Sequence, residues 1–247
     1  MRLMKRILSA AAVLALSASL LVGCSSGTAS AVPVSASSAA ESTVSSVEET
    51  ASSAVDENEA AAAQLLNDLT GSYQELWPVI LADEYKQTWL DDCTALVGED
   101  NAEAAFEKLS SMVTGDVYGE DAVKAYANGG GAYFCGFTNS LATLTFDGET
   151  STISGTDKDG NVLFSHTYHY IGMEPVHGLY EFESDDADSG EFTYFFLAPD
   201  TSAETYHIEF RYGSDAEALS QYDTGEYAYW LASGISTDCD QTMIDNC

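Results

Sequence analysis

Residues 177–213 read HGLYEFESDDADSGEFTYFFLAPDTSAETYHIEFRYG. Three runs in it, Leu179–Glu183, Phe192–Leu197 and Thr205–Tyr212, alternate apolar or aromatic residues with polar ones. They are separated by Asp185, Asp186, Asp188, Ser189 and Gly190, and then by Pro199, Asp200 and Ser202. Successive side chains of a strand point to opposite faces, so this alternation, bounded by turn formers, predicts an antiparallel meander with one face buried. The pattern continues upstream. Leu141–Phe146 and Thr150–Ser154 flank Asp147-Gly148, a strong hairpin signal. Asp157-Lys-Asp-Gly160 marks another turn, and residues 162–171 (VLFSHTYHYI) form a long strand. At least six strands at short, regular spacing predict an up-and-down barrel or strongly curved sheet, which leaves no exposed edges. All four histidines, His166, His169, His177 and His207, lie on these strands or beside them, so any imidazole chemistry belongs to the sheet.

Outward from the sheet the chain is predicted helical. Residues 56–69 have an acidic start and apolar residues at helical spacing. Residues 79–97 and 101–113 read as helices with Trp89, Leu90, Leu96, Phe106, Leu109 and Met112 inward, and residues 119–127 as a shorter one. Between the first two, Gly71 opens a short extended piece that turns Tyr73 and Trp77 to the core. Gly129, Gly130 and Gly131 lack the following Lys-Ser/Thr of a phosphate cradle and read as a tight turn. After the meander, residues 215–222 read as helix, Tyr227–Leu231 as an aromatic patch, and residues 237–247 as a short closing helix. The fold class expected is mainly β with α: an antiparallel barrel with N-terminal helices and a short C-terminal helix.

The N-terminal segment is read as targeting rather than fold. Arg2, Lys5 and Arg6 precede an apolar run from Ile7 to Val22 that ends in Leu21-Val22-Gly23-Cys24. That ending is a lipobox, so residues 1–24 read as a lipoprotein signal peptide with Cys24 as the lipidated residue. Residues 25–56 are rich in Ser, Ala, Thr, Val and Glu without apolar periodicity, the composition of a linker. Residues 57–247 are long enough for one domain with a sizeable core. The location expected is extracytoplasmic, held to the membrane by the lipid anchor only.

The chain carries 8 basic against 40 acidic residues, and three of the basic ones fall within the first 24. Such a field repels nucleic acid and concentrates cations, so nucleic-acid binding is excluded as a function. With Cys24 lipidated, Cys93, Cys135, Cys239 and Cys247 remain; proximity in sequence favours the pairings Cys93–Cys135 and Cys239–Cys247. The chain contains no Gly-x-Ser-x-Gly and no His-Glu-x-x-His, and no cysteine stands near a histidine in sequence, so it is read as a non-enzyme.

The run Tyr180–Gly190, the strand after it, and Glu204-Thr-Tyr-His-Ile-Glu-Phe-Arg-Tyr-Gly213 resemble the ZinT/YodA family of extracytoplasmic zinc-binding proteins. The resemblance implies a calycin or lipocalin-like barrel, with zinc as the metal and a zinc ABC transporter or its solute-binding protein as partner. The family strand carries a His-x-His pair; here His207 matches its second member and Thr205 stands at the first. The family's third histidine falls where this chain has Pro199 and Asp200. Zinc takes three or four N, S or O ligands in tetrahedral array. A site rebuilt around His207 would draw on one of His166 or His169, on His177, and on a carboxylate such as Glu209, Glu181, Glu183 or Asp200. The function expected is lipid-anchored capture of a divalent metal, zinc first, or its delivery to an ABC importer. The alternative is a metal-free calycin-like surface module that binds a small apolar molecule, a glycan or a protein. Replacing Cys24 by Ala is expected to abolish incorporation of labelled palmitate and to move the protein from the membrane to the soluble fraction.

Overall fold

The computed structural model describes residues 57–128, 133–199 and 206–245. Cys24, the linker 25–56, the Gly129–Gly131 turn, Asp200, Thr205 and Cys247 lie outside the described residues. Eight strands form one closed antiparallel barrel in chain order: β1 Gly71–Glu75, β2 Thr143–Asp147, β3 Thr152–Thr156, β4 Val162–Met173, β5 Tyr180–Ser184, β6 Tyr194–Leu197, β7 Ile208–Gly213 and β8 Ala232–Ser236. β8 pairs back onto β1 through Tyr73↔Ser236 and Glu75↔Gly234. This is the up-and-down barrel that the alternation predicts, with helices added, and it has the calycin or lipocalin-like form that the resemblance implies.

The period-two pattern decides what fills it. Leu144 and Phe146 of β2, Ile153 of β3, Phe164 and Tyr168 of β4, Phe182 of β5, Phe195 of β6, and Phe210 and Tyr212 of β7 are all buried in one cluster. Phe195 lies at the centre, its ring 5.4 Å from those of Tyr168 and Tyr212 and 5.9 Å from that of Phe164. The barrel is therefore a packed core rather than a cup. Helix α1 (57–68) closes one end, sending Ala62, Leu65, Leu66 and Leu69 into the same cluster. The β2–β3 turn abuts this helix so closely that a Cβ on Gly148 would collide with the backbone of Asn67, and Gly148 N donates to Thr70 Oγ1 at 3.0 Å.

A second, smaller cluster lies outside β8. Ile235 meets Leu76 and Ile80 of α2 (Leu76–Ile80), Trp89 of α3 (Lys86–Val97) and Ile244 of α7 (Gln241–Ile244). Trp89 Nε1 donates to Ile80 O at 2.7 Å. Helix α4 (Glu99–Val113) pairs with α3, and α5 (Glu120–Ala127) follows. The helix expected over 79–97 is thus broken into α2, a 3-10 turn at Asp83–Tyr85, and α3. Helix α6 (Ala216–Leu219) and α7 are shorter than expected; Asp215 and Asp240 cap them by accepting from Ala218 N and Met243 N. The strand expected over 192–197 begins at Tyr194, because Gly190–Phe192 makes a 3-10 turn. β8 was not predicted. Its sequence, Ala-Ser-Gly-Ile-Ser, lacks the bulky alternation of the other strands, because Ile208 and Tyr73 already crowd Gly234.

Truncating Phe195 to Ala is expected to cost about 3–5 kcal/mol in denaturant unfolding. Val162→Ser, on the exposed start of β4, is expected to stay within about 0.5 kcal/mol of the parent.

Candidate metal centre

The histidines are placed by strand parity and by the turns. On β4, His166 shares the inner side with Phe164 and Tyr168, its ring stacked 5.9 Å from that of Phe164, while His169 points outward. Both reach the acidic β5–β6 turn. His166 Nδ1 lies 2.8 Å from Asp186 Oδ2, and His169 Nδ1 lies 2.7 Å from Asp185 Oδ1. His177 sits in the β4–β5 turn with Nδ1 3.2 Å from Glu174 Oε2. A carboxylate offers acceptor oxygens, so Nδ1 is the donor in each pair. None of the three Nε2 atoms forms a hydrogen bond among the described residues. A carboxylate on Nδ1 is the arrangement that fixes a metal-ligating imidazole and raises its basicity.

These groups do not converge. In an up-and-down barrel the connections alternate between ends. The β4–β5 turn with His177 and the residue before β7, His207, belong to the end closed by α1, whereas Asp185 and Asp186 belong to the other. Inward positions of β7 are taken by Ile208, Phe210 and Tyr212; Glu209, half-buried, lies on the outer face with Arg211 and in register with Ser233. His207 stands just before β7, after Tyr206 at φ +64°. His166, His169, His177, His207 and Glu209 therefore do not make one ligand set. Among the described residues no three His, Cys, Asp or Glu side chains group so as to hold a metal ion.

What the sequence missed is a buried polar assembly around His177. Glu174 is fully buried, and its carboxylate accepts from Val176 N at 2.9 Å and His177 N at 2.5 Å. The His177 ring centroid lies 3.8 Å from that of Tyr222, and the Arg211 guanidinium lies over the same tyrosine ring, 4.2 Å from its centroid. Arg211 is also fully buried. Its Nη atoms donate to the carbonyls of Leu219, Gln221 and Tyr227, and its Nε has no partner among the described residues. Burial lowers the pKa of the guanidinium, while Tyr222 and Glu174 act in the opposite direction. Burial likewise raises the Tyr222 phenol, partly offset by Arg211. One sequence signal pointed here: Arg211 is the sole arginine after Arg6 in a chain with 40 acidic residues.

The thiols correct a second expectation. Cys93, Cys135 and Cys239 are free, so the Cys93–Cys135 bridge is not formed. Cys93 is buried within α3, whereas Cys135 lies against the outer face of the β7–β8 pair, where its carbonyl accepts from Ser233 N at 3.0 Å. The Cys239–Cys247 pairing involves a residue outside those described. Burial pushes the Cys135 thiol up to about 12, and Glu209 adds to the shift.

No family model matches the chain, and no curated protein matches it. Among solved structures it is similar to Zn(II)-bound AdcA from Streptococcus pneumoniae, with 16% identity and a TM-score of 0.46 over 74% of this chain and 34% of that one. It thus spans about a third of that protein's length. It is similar also to the Zn(II)-bound ZinT-like domain of Streptococcus pneumoniae AdcA, with 16% identity and a TM-score of 0.46 over 73% of this chain and 89% of that one.

With its folded pKa raised above the thiol range, Cys135 favours the native state below pH about 9 and loses that contribution as pH climbs toward 12. Native protein at pH 8 is expected to alkylate at Cys135 at least about tenfold more slowly than at Cys239, by peptide mass spectrometry, since the thiolate is the reacting form. Equal rates would contradict the burial.

Proposed function

We propose that this protein is an extracytoplasmic binding protein for divalent metal, zinc first, carried on a lipid anchor at Cys24. Its role is to capture the ion or to pass it to an ABC-type importer or its solute-binding protein. The observation that carries the reading is the placement of the imidazoles: three of the four have Nδ1 held by a carboxylate, the arrangement that orients a metal-ligating histidine. The resemblance of Glu204–Gly213 to a zinc-binding strand supports His207 as a further donor. The acidic field draws cations toward the domain. Zinc is the cargo in this reading, and no catalysis is assigned. Because no three donors group among the described residues, the expected hold is weaker and less selective than that of a closed tetrahedral site.

A second reading, a metal-free binding module, draws on a surface feature. Tyr126 and Tyr229 stack at 3.8 Å, with Tyr133 6.0 Å from each, and the three rings are half-buried beside α5. Such a cluster suits a glycan or protein partner. A small apolar ligand inside the barrel is disfavoured, since the aromatic core occupies that space.

Elemental analysis and zinc titration of the full chain beside His166→Ala, His169→Ala, His177→Ala and His207→Ala decide between them. Zinc binding that weakens at least about tenfold in one or more of these variants supports the metal reading, and zinc binding indifferent to all four counts against it. Absence of zinc binding, with a co-purifying glycan or protein, replaces it with the second.

A further inference from the structure

β4 is 12 residues long, and its neighbours cover it in halves. β3 pairs with residues 162–167, and β5 pairs with residues 168–173. The barrel closes through this stagger, yet the closure leaves the first half of β4 with a strand on one side only. We propose that this half is an edge to which an extended, basic segment of a partner protein adds as a further strand. The inference does not depend on the metal reading.

The direction of the free groups follows from the ladder. Tyr168 N donates to Ser151 O at 2.9 Å, which aims the backbone groups of Tyr168 at the β3 side. Backbone groups of alternate residues point the same way along an antiparallel strand. His166 and Phe164 therefore also face β3, and Thr167 and Ser165 face away from it. Thr167 uses its carbonyl there, accepting from Asp185 N at 2.8 Å. The N–H of Thr167 and both backbone groups of Ser165 have no hydrogen bond among the described residues. β5 ends at Ser184 and the chain turns at Asp185, so no strand runs alongside Ser165. Ser165 and Thr167 are exposed, as are Val162 (71%) and Leu163 (37%). Unpaired N–H and C=O groups on an exposed edge are what an added strand bonds to.

Natural edges are often blunted with Lys or Pro. Residues 162–167, VLFSHT, carry neither, and the one irregularity lies opposite Gly155 and Thr156 at the start of the strand. The carboxylates lie around this edge instead of on it. At the same end of the barrel the β3–β4 turn contributes Asp157 and Asp159, and the β5–β6 turn contributes Asp185, Asp186 and Asp188. Lys158 is the one cation in those two turns. An uncharged strip between two acidic turns discriminates between occupants. A second copy of this chain brings the same carboxylates against these and is repelled. A strand with Lys or Arg on both sides of a short β-branched stretch pairs its backbone with Ser165 and Thr167 and its charges with the turns. The chain's 40 acidic against 8 basic residues steer such a segment toward the domain before contact.

The test is amide hydrogen exchange in the ¹⁵N-labelled full chain, with the synthetic peptide KKTVTVTKK as probe. In the free chain the amides of Ser165 and Thr167 are expected to exchange fast, and those of Phe164 and His166, bonded to β3, to be protected. The peptide is expected to slow Ser165 and Thr167 at least about tenfold, the effect of a hydrogen bond of ordinary net strength. The peptide KKTPPPTKK, which keeps the charge and lacks the central N–H donors, is expected to leave them unchanged. Ser165→Pro removes a donor that faces away from β3, a position where an edge tolerates proline, and is expected to abolish the slowing at Thr167. If that variant fails to fold, Leu163→Lys, which sets a like charge on the exposed strip, is expected to do the same. Equal slowing by both peptides overturns strand addition in favour of simple charge attraction. Protection of Ser165 and Thr167 before any peptide is added means that the edge is already covered, and overturns the proposal. Protection that rises with protein concentration alone puts a second copy there and overturns it too. So does a KKTVTVTKK titration that slows neither residue.

Discussion

The buried guanidinium of Arg211 is the contact on which the outer architecture depends. Taking a charge out of water costs several kcal/mol unless its donors are satisfied. Arg211 meets that requirement with carbonyls rather than with a single carboxylate, donating to those of Leu219, Gln221 and Tyr227. Hydrogen bonds to a charged donor are worth about 1.5–3 kcal/mol each. Those carbonyls belong to the segment between β7 and β8, which has little regular structure apart from α6 and so leaves backbone groups in need of partners. The same cation flattens Tyr222 beneath it and sits in the field of buried Glu174. One side chain therefore fixes a loop, an aromatic ring and the electrostatic environment of a turn on a different hairpin.

The inside of the barrel has the opposite character. Its aromatic side chains interlock from strand to strand, and α1 closes an end with aliphatic residues. Dispersion and burial hold this part together, with a few cross-barrel hydrogen bonds such as Tyr168 Oη to Phe192 O at 2.5 Å and Thr138 N to Tyr212 Oη at 2.6 Å. A filled interior moves any binding chemistry to the outside and to the ends. That is where His169 and His177 are found, with the exposed Asp185 and Asp186 at the end opposite to His177.

The division between those two regions follows strand parity, and a shift of one residue reverses it. On β4, His166 and His169 are three apart and therefore oppose one another across the sheet. On β7, the phenyl ring of Phe210 and the phenol of Tyr212 take the interior, which sends Glu209 and Arg211 out. A His207–Glu209 pair facing into the barrel is incompatible with that register. The thiols are separated by the same kind of constraint: Cys93 is committed to a helix and Cys135 to the outer face of β7–β8, so closeness in sequence did not become closeness in space.

The sequence by itself determined the fold class, because alternation with turn formers is local information and because eleven per cent aromatic residues suffice to fill a small barrel. It also placed most strands, the acidic character and the clustering of every histidine on the strands or beside them. It missed β8, whose small residues carry no periodic signal since their size is dictated by neighbours on β1 and β7. Only the tertiary structure decided which polar groups meet. Glu174, Arg211 and Tyr222 are far apart in the chain and individually unremarked; closing the barrel and folding residues 214–231 over it brings them to His177. The same closure separates His166 and His169 from His207, because the ends of a closed barrel are held apart by the length of its strands.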